Sequence, residues 1–373
     1  MDHVIIRHII RRKTRPARGS GNYGAGWHIP AREPGGHMIR SEPPLVSVII
    51  AAFNAAPYIA EAVYSVLEQS HSKLEVIVVD DGSMDSTADI VQGLACQDRR
   101  VVLLTGHANE GVSAARNRGL ARATGEWVAI LDADDLFQYQ RIEMLVGFAV
   151  AHGLDLAADN LEMRDFTTGA PRGLAFPDAW MNSASDITIA DFLERDLPGM
   201  FARELGFIKP VLRTDFLRRH GIWYNSSVWA GEDFLLYLDC LQQGARLRLL
   251  PDPLYIYHLR AGSASSGQDA NLELERGNAL LLEKLGPSDP IIRDLLLLRQ
   301  ILIRYELFNW RVKRWDMAEA LALAAQLPAS FLCGKLWAAI MRRAGMEACN
   351  PSLRALQRLR QRRHYSAKRA AAL

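Results

Sequence analysis

The chain has 373 residues, 49% of them hydrophobic, and a formal net charge of +2. That length and apolar content are enough to bury a substantial core, and the near-neutral balance excludes a chain-wide nucleic-acid binder. The four cysteines are scattered without a CxxC pair, and no stretch approaches ~18 consecutive apolar residues; a disulfide scaffold, a cysteine zinc site and a membrane span are therefore not expected.

Residues 1–44 carry eight basic residues against three acidic ones and are rich in Gly and Pro from Arg15 onward, so they are expected to be a flexible basic extension. Order is expected from Leu45. Val46-Ser47-Val48-Ile49-Ile50 is a β-branched apolar run of the kind that forms a buried strand. Pro57 is well placed as a first helical residue, and Ile59, Ala62, Val63, Val66 and Leu67 then recur at helical spacing. A second strand, Glu75 to Val79, runs into Asp80-Asp81-Gly82-Ser83. A helix from Thr87 to Ala95 leads to a third strand over Arg100 to Leu104, and Ser113 is expected to cap the next helix. A fourth strand, Trp127 to Leu131, ends at Asp132-Ala133-Asp134-Asp135.

Strands alternating with helices predict an α/β fold with a mostly parallel central sheet covered by helices on both faces. Ligands of such sheets sit outside the carboxyl ends of the strands, and three predicted strands end there in polar clusters. Residues 154–265 are less regular and more aromatic, which suits an acceptor-facing half of the same domain. The expected division is residues 1–44, a domain over 45–268, and a helical C-terminal region over 269–373. That last region is expected to end in a basic amphipathic helix, with Leu353, Leu356 and Leu359 on one side and Arg354, Arg358 and Arg362 on the other.

If the chain stays extended past the fourth strand, Asp132 and Asp134 project to the same side, and Asp135 crowds them. Like charges this close need a compensating cation, and a hard divalent ion that completes its shell with phosphate oxygens would serve. Taken alone, the run reads as a solvated acidic turn. Asp80 and Asp81 at a neighbouring strand end suit hydrogen bonding to a ribose or base, or simple helix capping. Glu232-Asp233 opens an apolar helical stripe, where acids also favour the helix dipole.

Together the segments over 46–54, 78–87, 109–119 and 131–135, followed by Gly231-Glu232-Asp233, resemble the family 2 glycosyltransferases, in that family's order and spacing. The resemblance implies the nucleotide-diphospho-sugar transferase fold called GT-A. It also implies that Ala52, Phe53 and Asn54 line a nucleotide pocket with Asp80 and Asp81, and that Asp81 meets the uracil or ribose. Asp132 is expected near the ribose, Asp134 on a Mg²⁺ or Mn²⁺ ion at the diphosphate, and Asp233 as the general base of an inverting transfer. Arg116 has two roles open, a contact with the nucleotide or an ion pair with the acidic cluster. Tyr257-His258-Leu259-Arg260 resembles a family segment in which Arg and His stand in the opposite order, so His258 and Arg260 are both candidate diphosphate contacts. Lys209 is expected on the surface, and Trp180, Trp223 and Trp229 in the core.

The rivals to this reading are a sugar-phosphate nucleotidyltransferase and a non-catalytic carbohydrate- or membrane-binding protein. A Rossmann oxidoreductase is set aside because the first strand leads to Ala51-Ala52-Phe53-Asn54 and not to GxGxxG. The segment from Gly206 to Asp233 resembles transferases of succinoglycan-type exopolysaccharides. This implies a UDP-hexose donor such as UDP-glucose and a lipid-linked or oligosaccharide acceptor. The setting it implies is cytoplasmic, with the basic ends resting on an anionic inner-membrane surface.

Overall fold

The computed structural model describes residues 42–181, 185–198, 203–260, 268–285, 289–314 and 316–327. Nearly all of the expected basic extension, and the expected basic helix over 353–362, lie outside them.

The first half is a run of strand–helix units: β1 (Val46–Ala52), α1 (Ile59–Leu67), β2 (Leu74–Asp80), α2 (Thr87–Gln97), β3 (Val101–Thr105), α3 (Val112–Arg122) and β4 (Trp127–Ile130). β1 lies between β2 and β4, and β3 borders β2, all parallel. The register sets Ala52 beside Asp80 and Ile49 beside Ile130, so the polar ends of β1, β2 and β4 share one edge of the sheet. The strands are mostly apolar because helices cover both faces: Val48, Ile49, Ile50, Val76, Ile77, Val78 and Val79 have no exposed surface. α3 packs closely on β1, since a Cβ on Gly119 would overlap the Ile49 Cγ2 methyl.

Two local expectations are corrected. Pro57 lies two residues ahead of α1, in the turn that precedes it. Ser113 does not cap α3: Gly111, at φ 93°, takes that position, and the Ser113 hydroxyl donates to the Val228 carbonyl at 3.1 Å. At φ 93° a side chain is disfavoured, which leaves the cap position to glycine.

Beyond β4 the sheet becomes mixed. β5 (Leu136–Phe137), α4 (Arg141–His152), β6 (Leu156–Asp165), β7 (Pro171–Leu174), α5 (Asp178–Met181) and α6 (Ile189–Arg195) come next. A 3₁₀ turn over Leu205–Phe207 follows, then β8 (Val211–Arg213), α7 (Thr214–His220), α8 (Glu232–Gln242) and β9 (Leu247–Leu259). The order across the sheet is β3-β2-β1-β4-β8-β6-β9-β5, with β7 on β6. β8 is antiparallel to β4 and β6, while β9 runs parallel to β6 and antiparallel to β5.

Three helices close the described chain: α9 (Gln268–Leu285), α10 (Pro290–Lys313) and α11 (Met317–Ala324). Asp289 caps α10 through Ile291 N–H, ahead of Pro290. Among the described residues no helix is long and apolar enough to cross a membrane.

Candidate active site

A cleft of about 610 Å³ opens at the shared polar edge, walled by the ends of β1 and β4, the start of α8, the end of β9 and helices α9 and α10. The chain does not stay extended after β4. It turns, with Asp135 N–H donating to the Asp132 carbonyl at 3.0 Å, and the three carboxylates part ways. Sharing one face would have left them to repel one another, and the turn gives each its own partner.

Asp132 faces a buried cluster. Arg116 Nη2 lies 2.7 Å from its Oδ1 and Lys209 Nζ 3.0 Å from its Oδ2. The same two cations hold Asp233: Arg116 Nη1 at 3.0 Å from Oδ1 and Lys209 Nζ at 2.5 Å from Oδ2. Glu232 adds a contact to Arg116 at 2.8 Å, and the Tyr224 hydroxyl donates to Asp233 at 3.1 Å. Burial would raise the Asp132 carboxyl, but Lys209 and Arg116 outweigh it and hold it at about 2. Burial would likewise lower the Lys209 ammonium, yet Asp132 and Asp233 raise it above its ordinary value. Glu232, in contrast, is raised, by burial first and then by Asp233. Of the two roles open to Arg116, the ion pair is present.

Lys209 corrects the expectation of a surface residue: it is 5% exposed. Its placement depends on a second buried pair. Arg141 donates to both oxygens of Asp159, at 3.0 and 2.8 Å, and also to the Lys209 carbonyl, with Phe137 and Tyr255 rings against its guanidinium. A single lysine inside the apolar run from Phe207 to Leu212 was a usable signal, because buried lysines are almost always paired.

Asp134 faces the cleft. Arg260 Nη2 lies 3.2 Å from its carboxylate, and burial followed by the nearby Asp132 raises its pKa. Asp135 is buried and accepts from the Tyr255 hydroxyl and from His258 N–H, both at 2.8 Å. Burial, then Asp132 and Asp134, push its pKa well up, against the two hydrogen bonds it accepts. His258 also places Nδ1 2.6 Å from the Asp134 carbonyl. His258 and Arg260 thus both reach the cleft beside Asp134.

The expected nucleotide-lining set divides. Phe53 is 42% exposed and lines the cleft. Ala51 lines it as well, while Ala52 is buried, because neighbours on a strand point to opposite faces. Asn54, at φ 51°, spends its side chain on Met84 N–H and its own N–H on the Ser83 hydroxyl, fastening β1 to the turn after β2. Asp80 and Asp81 are 4% and 3% exposed and do not line the cleft. Asp81 accepts from Glu110 and Gly111 N–H at 3.0 and 2.8 Å and pairs with Arg118 at 2.5 Å, so in this state it orders the 109–111 loop. Trp229 and Trp223 correct the expectation of core packing: they are 42% and 48% exposed, and Trp229 lines the cleft.

Comparison with known proteins identifies the family and the fold. Residues 47–199 match the family model described as Glycosyl transferase family 2. The succinoglycan biosynthesis protein ExoO of Rhizobium meliloti (strain 1021) is 34% identical over 222 residues, 60% of this chain and 63% of that protein. ExoU of the same organism is 33% identical over 241 residues, 64% of this chain and 69% of that protein. The match therefore spans a little under two thirds of ExoO. Among solved structures, S. aureus TarS 1-349 in complex with UDP-GlcNAc has a TM-score of 0.58 at 21% identity, covering 75% of this chain and 79% of that one. The mannosyltransferase PcManGT from Pyrobaculum calidifontis, in complex with GDP-Man and Mn²⁺, has a TM-score of 0.55 at 21% identity, covering 85% and 84%. At such identities these two share the fold. The chain belongs to glycosyl transferase family 2 and has a GT-A fold.

Proposed function

We propose that the chain transfers one hexose from a UDP-sugar, UDP-glucose being the first candidate, to a hydroxyl of a saccharide acceptor with inversion. The observation that carries this reading is the cleft in which Asp134, facing open space, stands beside a buried cluster of Asp132, Asp233, Arg116 and Lys209. The UDP-GlcNAc held by TarS supports a uridine nucleotide, and the exopolysaccharide relatives support a lipid-linked oligosaccharide acceptor in surface-glycan assembly. Such an acceptor places the work at the cytoplasmic face of the inner membrane, where the basic ends of the chain would meet anionic lipid.

Asp134 fits a divalent ion in one respect: burial and Asp132 disfavour its charge, and a cation would relieve both. Among the described residues no group of three or more acidic, His or Cys side chains surrounds it. One protein carboxylate with diphosphate and water oxygens is a shell that Mg²⁺ or Mn²⁺ accepts. The ion would supply charge neutralisation on the departing nucleoside diphosphate. Arg260 and His258, at the same end of the cleft, would hold the diphosphate oxygens. Phe53 offers an exposed ring for the base.

Asp233 is the proposed base. Its Oδ2 is closed by Lys209, whose ammonium also touches Asp132, so a small shift of Lys209 toward Asp132 frees that oxygen for the acceptor hydroxyl. Arg116 and Tyr224 keep the carboxylate oriented through Oδ1.

A screen of nucleotide-sugars with purified protein and Mn²⁺ or Mg²⁺, scored by nucleotide release and product, tests the reading. Sugar transfer with nucleotide release, lost on chelation, is expected. Turnover that survives both chelation and Asp134→Ala would overturn the metal-assisted scheme, and formation of a nucleotide-sugar from a sugar phosphate would favour the nucleotidyltransferase instead.

A further inference from the structure

Four of the cations on the cleft wall are matched to carboxylates. Arg116 and Lys209 belong to the central cluster, Arg260 pairs with Asp134, and Arg299 pairs with Asp196 at 2.9 Å. Arg203 lines the same cleft and is different. It is half-buried, its Nε is enclosed without a hydrogen-bond partner, and among the described residues no carboxylate pairs with it. What does hold it is aromatic: its guanidinium carbon lies 5.3 Å from the centre of the Phe207 ring and 5.8 Å from that of Tyr257, and those rings meet edge to face.

Cation–π contacts of this kind hold a guanidinium without consuming its N–H groups. A guanidinium so placed presents its forked donors to a planar, doubly accepting anion, a carboxylate or a phosphate. Arg203 and the proposed donor residues come from different elements. Arg203 stands just before the 3₁₀ turn, in a cleft also lined by Asn271 and Leu274 of α9 and Glu306 of α10, whereas Phe53 and Asp134 come from the ends of β1 and β4.

We propose that Arg203, seated on Phe207 and Tyr257, receives an anionic group of the acceptor, so that the acceptor is an acidic saccharide or one bearing phosphate. This deepens the transfer reading and rests on it. The anion has two sources of the same chemistry, a uronic-acid carboxylate or the diphosphate of a lipid carrier, and the test separates them.

Ligand-observed NMR titrations would use the full chain and three probes: methyl glucuronide, geranyl diphosphate and neutral methyl glucoside. Each is run without UDP and with saturating UDP, which fills the donor's diphosphate site. With UDP present, one of the anionic probes is expected to bind at least about tenfold more tightly than the glucoside, the range of a charge-assisted contact. Preference for the glucuronide assigns a carboxylate, and preference for geranyl diphosphate assigns the carrier. Arg203→Gln should abolish the preference, Arg203→Lys should keep part of it, and UDP affinity should change less than about twofold in either. The proposal fails if wild type shows no preference, if Arg203→Gln retains it, or if Arg203→Gln weakens UDP as strongly as the probe. Failure of wild type to bind UDP counts against the transfer reading instead, and the probe comparison without UDP still decides the fate of Arg203.

Discussion

Replacing Lys209 by Met removes one charge from the central cluster while keeping an unbranched apolar stem of similar reach. Lys209 Nζ touches Asp233 and Asp132, and without it Arg116 alone faces Asp132, Glu232 and Asp233. Removing one member of a buried charge pair costs ~3–5 kcal/mol. The lower end applies here, because the Asp132 side chain retains 26% exposure and some access to water. Acid dependence supplies a second reading. The Asp132 carboxyl is held from its ordinary 3.8 down to about 2, by Lys209 and Arg116 acting against burial. A depressed carboxyl contributes stability that is present above its ordinary value and lost as pH falls through the folded value, roughly 2 kcal/mol across this window. In Lys209→Met that contribution shrinks, so the gap between variant and wild type should narrow as pH falls from about 4 toward 2. Urea titrations at neutral pH and at two points in the acid window measure both. A variant as stable as wild type at neutral pH, or a gap that does not narrow on acidification, refutes the cluster as described.

Asp233→Asn should lower transfer by about 10²–10⁴-fold while UDP binding, followed by calorimetry, stays within about twofold; a full rate would remove Asp233 as the base. Asp134→Asn should abolish the divalent-ion dependence of nucleotide release, read by comparing rates with Mn²⁺ and with chelator. Gly119→Ala drives a methyl into Ile49, which has no exposed surface and a stiff branched side chain, so a loss of ~1–3 kcal/mol is expected in urea melts. Asp196→Asn should cost ~3–5 kcal/mol by leaving Arg299 buried without its carboxylate, and the double variant Asp196→Asn with Arg299→Met should recover part of that loss. A double variant no more stable than the single one would show that the pair is not the source of the cost.

What the sequence revealed was what is local. β1 to β4 are largely apolar runs, and β2 and β4 lead into acids, so period and punctuation locate the sheet and its ligand edge. Asp134 and Asp233 could be singled out because their neighbours in the chain form motifs. Asp135 could not be assigned, since its partners Tyr255 and His258 lie on β9. Lys209 was misplaced for the same reason: its meaning comes from Asp132, Asp233 and the carbonyl contact from Arg141, none adjacent to it in the chain. Ser113 had the chemistry of a cap, but the choice between Ser113 and Gly111 depends on a backbone angle that periodicity does not carry. The extended reading of Asp132 to Asp135 failed because separate partners for three carboxylates stabilise a turn more than a shared face does.

The bond from His258 N–H to Asp135 joins residues 123 positions apart. Asp135 ends the motif after β4, and His258 and Arg260 stand at the end of β9, so this buried acid ties the two strand ends into one piece. That has a practical meaning for building chimaeras among relatives. The intervening stretch, including β6 and β7, can be exchanged as a cassette only if both seams travel together, the Asp135 side and the β9 strand that returns to it. A crossover between them would leave a buried acid facing a foreign strand, and the two strand ends would lose their common register.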